Sequence, residues 1–207
     1  MSITFPIEMP TSSIGIESIT FSAESVVSRT ESPFTFNQQI LKWPGQRWVA
    51  SIKIPPCKRD TAESWVSFLL SLNGPENTFY LYDPLGTAPQ GEAGGTPLVN
   101  GASQTGSSLV IDGATTTQTD WLKAGDWIQL GTGSSSKLHK VVQDVDTDGS
   151  GNATLEIWPD LRSSPADNAA INLSTCKGVF RLNNNISSWN INSISSYGIE
   201  FEAVEAL

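Results

Sequence analysis

The 207 residues carry 21 acidic against 12 basic side chains, a formal net charge of −9. A surface of that sign repels phosphate backbones and disfavours sequence-independent nucleic-acid binding. Only 16% of residues are charged and 38% are hydrophobic, so the polar remainder is mostly Ser, Thr, Asn, Gln and Gly, a composition of short strands and many turns. Seven tryptophans argue for a packed protein. With two cysteines, Cys57 and Cys176, and one histidine, His139, a zinc ribbon, a disulfide scaffold and most hydrolytic triads are excluded. Met1 to Thr11 lacks the basic and apolar regions of a signal peptide, and no apolar run is long enough to span a membrane. The expected setting is a reducing cytoplasm, in which a Cys57–Cys176 bridge is disfavoured.

In chain order, Ile14, Ile16, Ile19 and Phe21 sit among Ser, Thr and Glu in a strand-like run. Phe34 to Lys42 reads as a second strand, and Trp43-Pro44-Gly45-Gln46 as the turn into a third. In that third strand Trp48, Ala50, Ile52 and Ile54 share one face, the period-two pattern of a half-buried strand. Pro55-Pro56 is expected to stop it. A helix follows, capped by Asp60 or Thr61 with Glu63 reaching back, and Asn73-Gly74-Pro75 ends it. Its apolar stripe is Ala62, Trp65, Val66, Leu69 and Leu72, widened by Phe68 and Leu70, which suits packing across a sheet or against a neighbouring subunit. Asn77 to Tyr82 reads as a further strand ending at Asp83-Pro84.

Thr87 to Gly106 is rich in Gly and Pro and reads as a linker or extended loop. Five short strand candidates follow: Ser107 to Ile111, Asp126 to Leu130, Leu138 to Val145, Ala153 to Trp158, and Ala170 to Leu173. Such spacing suggests a small closed or nearly closed barrel. From Lys177 the opening pattern returns, with strands at Val179 to Leu182, Trp189 to Ile191 and Tyr197 to Val204. The expected fold is therefore mainly β. Residues 1–87 and 176–207 form one discontinuous β domain, a barrel or sandwich with a single helix, and residues 88–175 form an inserted barrel. The insert holds ten acidic and four basic side chains, a net −6, leaving −3 elsewhere.

Asp144, Asp146 and Asp148 followed by Gly149 fall at positions one, three, five and six of a calcium loop. The twelfth position is Leu155, however, and Glu156 comes one residue late, so a hairpin turn is the plainer reading and a weak cation loop the alternative. His139 has no ligand partner at metal spacing and reads as a surface histidine. Glu200 and Glu202 alternate with apolar residues as a solvated face. Asp83-Pro84 and Trp158-Pro159-Asp160 read as strand-ending turns. The Gly-rich run has no following Lys-Ser/Thr, so it is not a phosphate loop. Trp65 is explained by the helix stripe and Trp48 by strand alternation. Trp43, Trp121, Trp127, Trp158 and Trp189 fit a core, a subunit interface or, as the competing reading, stacking on sugars. No catalytic constellation stands out and no cofactor is implied.

The segments Leu122-Lys123-Ala124-Gly125-Asp126, Trp158-Pro159-Asp160-Leu161, Lys177-Gly178-Val179-Phe180-Arg181, Tyr197-Gly198-Ile199 and the closing Glu205-Ala206-Leu207 together resemble the distal tail protein of long-tailed (siphovirus) phages. The similar variety is the one whose ring domain carries an inserted domain of oligonucleotide/oligosaccharide-binding (OB) type. Trp48 to Gly91, with Ile54-Pro55-Pro56, Trp65, Phe68-Leu69, Leu72 and Asp83-Pro84, is likewise similar to tail proteins of such phages. The resemblance implies a virion structural protein without enzymatic activity. It also implies a homo-oligomeric ring, hexameric in the family, between the tail tube protein and the hub or tip protein, with receptor-binding side fibres as further partners. Its transfer identifies no ring-contact residue. The acidic insert disfavours nucleic acid even on an OB-like barrel. The alternative reading is a carbohydrate-binding module in which Trp121 or Trp127 recognises host polysaccharide; a cell-wall hydrolase is a third.

Overall fold

The computed structural model describes residues 3–192 and 196–207. Two antiparallel sheets account for the strands. The first is built from β1 (Ser18–Glu31), β2 (Gln38–Lys58), β3 (Phe79–Leu81), β10 (Gly178–Leu182) and β12 (Ser196–Glu205), in the order β1-β2-β12-β10-β3, with β11 (Trp189–Ile191) paired to β12. The second contains β4 (Gly95–Val99), β5 (Gly106–Ala114), β6 (Trp127–Leu130), β7 (Lys137–Val141), β8 (Ala153–Leu161) and β9 (Ile171–Asn172), in the order β4-β5-β8-β7-β6-β9. Its ends are brought together by an antiparallel bridge between Leu98 and Ala170, flanked by Val99 N donating to Ala169 O at 2.9 Å and Asn168 N donating to Val99 O at 2.8 Å. The second sheet is thus a nearly closed barrel.

The period-two reading of β2 holds over its inner half. Trp48, Ala50, Ile52 and Ile54 are buried, and against them pack Trp65, Leu69 and Leu72 of α1 (Arg59–Leu72) together with Phe79, Leu81, Phe180, Ile199 and Ala203. Phe68 is buried in this core, whereas Leu70 points to solvent and does not widen the stripe. A separate core fills the barrel: Val99, Leu109, Ile111, Trp121, Leu122, Ile128, Leu155 and Ile157 are at most 1% exposed. Burying side chains of this size stabilises by about 1.5–3 kcal/mol each.

Several boundaries differ from the sequence reading. Trp43-Pro44-Gly45-Gln46 is not a turn; β2 runs through it without a break, and the hairpin reverses at residues 32–37, where Ser32 N donates to Asn37 O at 3.0 Å. Phe36 supplies the left-handed residue that closes this turn (φ 55°). Nor do Pro55 and Pro56 end the strand. They lie where the register with β12 shifts between Tyr197↔Cys57 and Ile199↔Ile54, so neither is asked for a ladder donor. Helix α1 starts one residue earlier than Asp60, with Lys58 as N-cap and no side-chain cap. Asp60 Oδ1 instead accepts from the adjacent Thr61 N at 2.9 Å, and Glu63 pairs with Arg59 at 3.1 Å, so there is no capping box. The helix does end at Asn73 and Gly74, both left-handed (φ 51° and 66°). Thr87 to Gly106 contains a strand, β4, hidden by its glycines and proline. Trp158-Pro159-Asp160 lies inside β8, which continues to Leu161, and β7 stops at Val141.

Candidate functional site

Two features bear on function. The first is the outer half of the β1–β2 hairpin. Residues 22–31 and 33–45 are all exposed, including Val26, Val27, Ile40, Leu41, Trp43 (54%) and, at the tip, Phe34 (92%) and Phe36. Cross-strand partners share a face, so Val27 with Lys42 and Arg29 with Ile40 lie on one face, and Ser28 with Leu41 lies on the other. Both faces of this ribbon therefore show apolar side chains to solvent. Among the described residues, the outer edge of β1 has no partner strand. A two-stranded ribbon with uncovered apolar faces and a free edge is a poor solitary structure and a ready template for pairing.

The second feature is the junction between the first sheet and the barrel. Phe21, Trp48, Trp127 and Trp158 meet there, with ring centroids 4.3 Å apart for Trp48–Trp158, 5.1 Å for Trp48–Trp127 and 5.5 Å for Phe21–Trp127. Their nitrogens are used across the junction: Trp48 Nε1 donates to Leu138 O at 3.0 Å and Trp127 Nε1 to Asp83 Oδ2 at 3.1 Å. Lys140 Nζ stands 4.1 Å above the Trp127 ring. Beside the aromatics is a buried ion pair. Glu205, with 1% of its side chain exposed, receives Arg162 Nη1 at 2.7 Å on Oε1 and Nη2 at 2.5 Å on Oε2, and Oε2 also accepts Trp48 N at 3.1 Å. Arg162 Nε and Nη2 donate to Gln46 O at 3.1 and 2.9 Å. Sequence reasoning missed Gln46, Arg162 and Glu205. The one local signal was a charge, Glu205, inside the apolar run Ala203-Val204-Glu205-Ala206.

The expected surface position of His139 is overturned. It is 2% exposed, its Nδ1 donates to Pro159 O at 2.8 Å, and burial holds its imidazole down at about 4 against an ordinary 6.5. The alternation of β7 places Leu138 and His139 both inside because this strand lies between the barrel and the first sheet's core. Cys57 and Cys176 are both buried free thiols, and burial pushes Cys176 up to about 12. Glu200 and Glu202 are exposed, as read.

The three aspartates of the 144–152 loop do not converge. Asp144 Oδ1 accepts Ala124 N, Asp146 Oδ1 accepts Asp120 N, and Asp148 Oδ1 accepts Ser150 N and Asn152 N, all at 2.8 Å. Those backbone donors hold the Asp148 carboxyl below its usual range. Each carboxylate ties a different loop segment, which is the work of turn aspartates. Among the described residues no group of three or more His, Cys, Asp and Glu side chains is placed to hold a metal. Trp121 and Trp127, the candidate sugar-stacking residues, are 0% and 5% exposed, so neither offers a face to a ligand. An open groove of about 630 Å3 follows the barrel seam between residues 88–98 and 170–174, lined mainly by apolar and small side chains with Glu92 its one charged residue. No helix is long and apolar enough to cross a membrane among the described residues.

In a comparison with known families, residues 86–176 match the family described as distal tail protein pb9, B domain. No curated protein matches the chain. The matched segment coincides with the barrel and the short approaches to it on either side. In that segment the chain is similar to the B domain of a phage distal tail protein, which supports a distal tail protein.

Proposed function

We propose that the chain is a ring subunit of the distal phage tail, assembling with copies of itself, a hexamer by family resemblance, to join the tail tube to the hub or tip. In this reading residues 1–87 and 176–207 form the ring and residues 88–175 an OB-like barrel carried beside it, on which receptor-binding fibres are the natural partners. The observation that carries the reading is the exposed β1–β2 ribbon, with apolar side chains on both faces and a free edge on β1. A second copy of the same chain is the occupant that fits. One subunit's ribbon laid on its neighbour makes a head-to-tail contact, and such contacts close into rings when the rotation permits.

The test is to shorten the ribbon. Replacing residues 29–40 by an Asn-Gly turn joins Ser28 to Leu41, an existing cross-strand pair, and leaves the inner half of the sheet intact. Light scattering and negative-stain microscopy should find rings for the full chain and monomers for the shortened one. A full chain that stays monomeric at all concentrations, alone and with tube or hub protein, would sink the proposal, as would a shortened chain that still forms rings.

A further inference from the structure

The ribbon leaves the first sheet at a point where the sheet cannot fix its direction. The β1–β2 register shifts between Ser25 and Val27: Ser25 pairs with Gln46, but Val27 pairs with Lys42, so residues 43–45 have lost the regular ladder. An irregularity of this kind bends a strand and weakens its pairing locally. Beyond it, among the described residues, the ribbon has two strands with exposed side chains on both faces. A bend followed by an unsupported ribbon is a hinge unless something else holds it.

The end of β8, which belongs to the barrel, does hold it. Lys42 Nζ, just beyond the bend, reaches Asp160 Oδ2 at 3.1 Å. Gln46, just before it, is buried and is gripped twice. Its Oε1 accepts Asp160 N at 2.6 Å, and its carbonyl accepts Arg162 Nε and Nη2 at 3.1 and 2.9 Å. Arg162 is in turn locked by both oxygens of Glu205, whose Oε2 also takes Trp48 N. Every one of these bonds joins segments at least 43 residues apart in the chain, and together they straddle the bend.

We propose that the barrel is the positioning brace of the ribbon: Asp160 and Arg162, anchored on Glu205, set the direction in which the ribbon leaves the sheet. This rests on the reading of the ribbon as the assembly arm and adds a role for the barrel in self-assembly besides any it has in docking fibres. Arg162 is a positioning residue here; it acts on Gln46 and not on the neighbouring subunit. A bidentate guanidinium suits the task, because its planar fork fixes angle as well as distance.

The experiment uses the full chain with spin labels on Gln39→Cys in the ribbon and Thr154→Cys on the barrel, diluted with unlabelled protein so that only pairs within one chain report. Both positions are exposed, and the two native thiols are buried. The variant is Arg162→Met with Glu205→Leu, which removes both charges and strands neither; Lys42→Ala with Gln46→Met is a gentler second. The expected result is a narrow distance distribution in the parent and one at least about twofold broader in each variant. Ladder amides among residues 40–42 should exchange at least about tenfold faster while those at 52–54 keep their protection, and ring yield should fall. Unchanged width and exchange in both variants would overturn the brace, whether or not rings form. The shortened ribbon judges the arm separately: if it still assembles, the arm reading fails, while the distance distribution continues to report on the brace.

Discussion

His139 is the only histidine, which makes its titration an isolated test of the junction. Burial is the main cause of its low value of about 4, and the Nδ1–H donated to Pro159 O opposes that shift without cancelling it. Above about pH 6.5 the folded and unfolded chains both carry a neutral imidazole, and the full stability is present. Between about 6.5 and 4 the unfolded chain binds a proton that the folded chain refuses, so stability falls as the pH falls; below about 4 both states are protonated and the loss is complete. A displacement of this size corresponds to about 3 kcal/mol in total, of which about 2 kcal/mol is lost between pH 7.5 and 5, before most carboxylates titrate. With an m-value of about 2–3 kcal/mol/M, the urea midpoint should drop by roughly 0.7–1 M over that interval. The single His139 ring signal, followed by NMR, should stay in its neutral position down to about pH 5. In His139→Gln the midpoint should be nearly flat across the same range. A ring signal titrating near 6.5, or an equal drop in the Gln variant, would refute the burial argument.

Arg162→Met alone leaves the Glu205 carboxylate buried and unpaired, and should lower stability by about 3 kcal/mol in urea melts, with the Glu205→Leu double variant recovering part of it. Gly151 has φ 78°, and a Cβ there would lie 2.3 Å from Ala114 O, so Gly151→Ala should cost about 2–3 kcal/mol, read as a lower midpoint in the same melts. Cys57 and Cys176 should be unreactive to a thiol reagent at pH 8 in the folded protein and should both react in denaturant; one fast native thiol would contradict their burial.

The inner half of β2, the stripe of α1 and most barrel strands were legible because each repeats a local period against a buried face. The ribbon was not. Pro44-Gly45 reads as a turn, yet here the proline sits where the ladder is already interrupted, and the glycine makes room for Val26, whose Cγ2 would lie 2.8 Å from a Cβ at that position. The real reversal, at residues 32–37, offers no Asn-Gly or Asp-Gly pair and uses Phe36 in the left-handed region, a choice that sequence statistics disfavour. His139 was misplaced because its burial depends on two bodies meeting at β7. Gln46, Arg162 and Glu205 combine residues from three distant segments, and no periodicity within any one of them signals the union.

The strand order carries a consequence for synthesis. β12 lies between β2 and β10, so the first sheet has a gap at its centre until residues 196–205 have left the ribosome. The barrel, by contrast, is contiguous from β4 to β9 and needs nothing that is made later. A nascent chain can therefore complete the barrel first, while Arg162 waits for the carboxylate of Glu205. Until β12 is made, Arg162 lacks the Glu205 carboxylate that locks it beside Gln46 at the root of the ribbon.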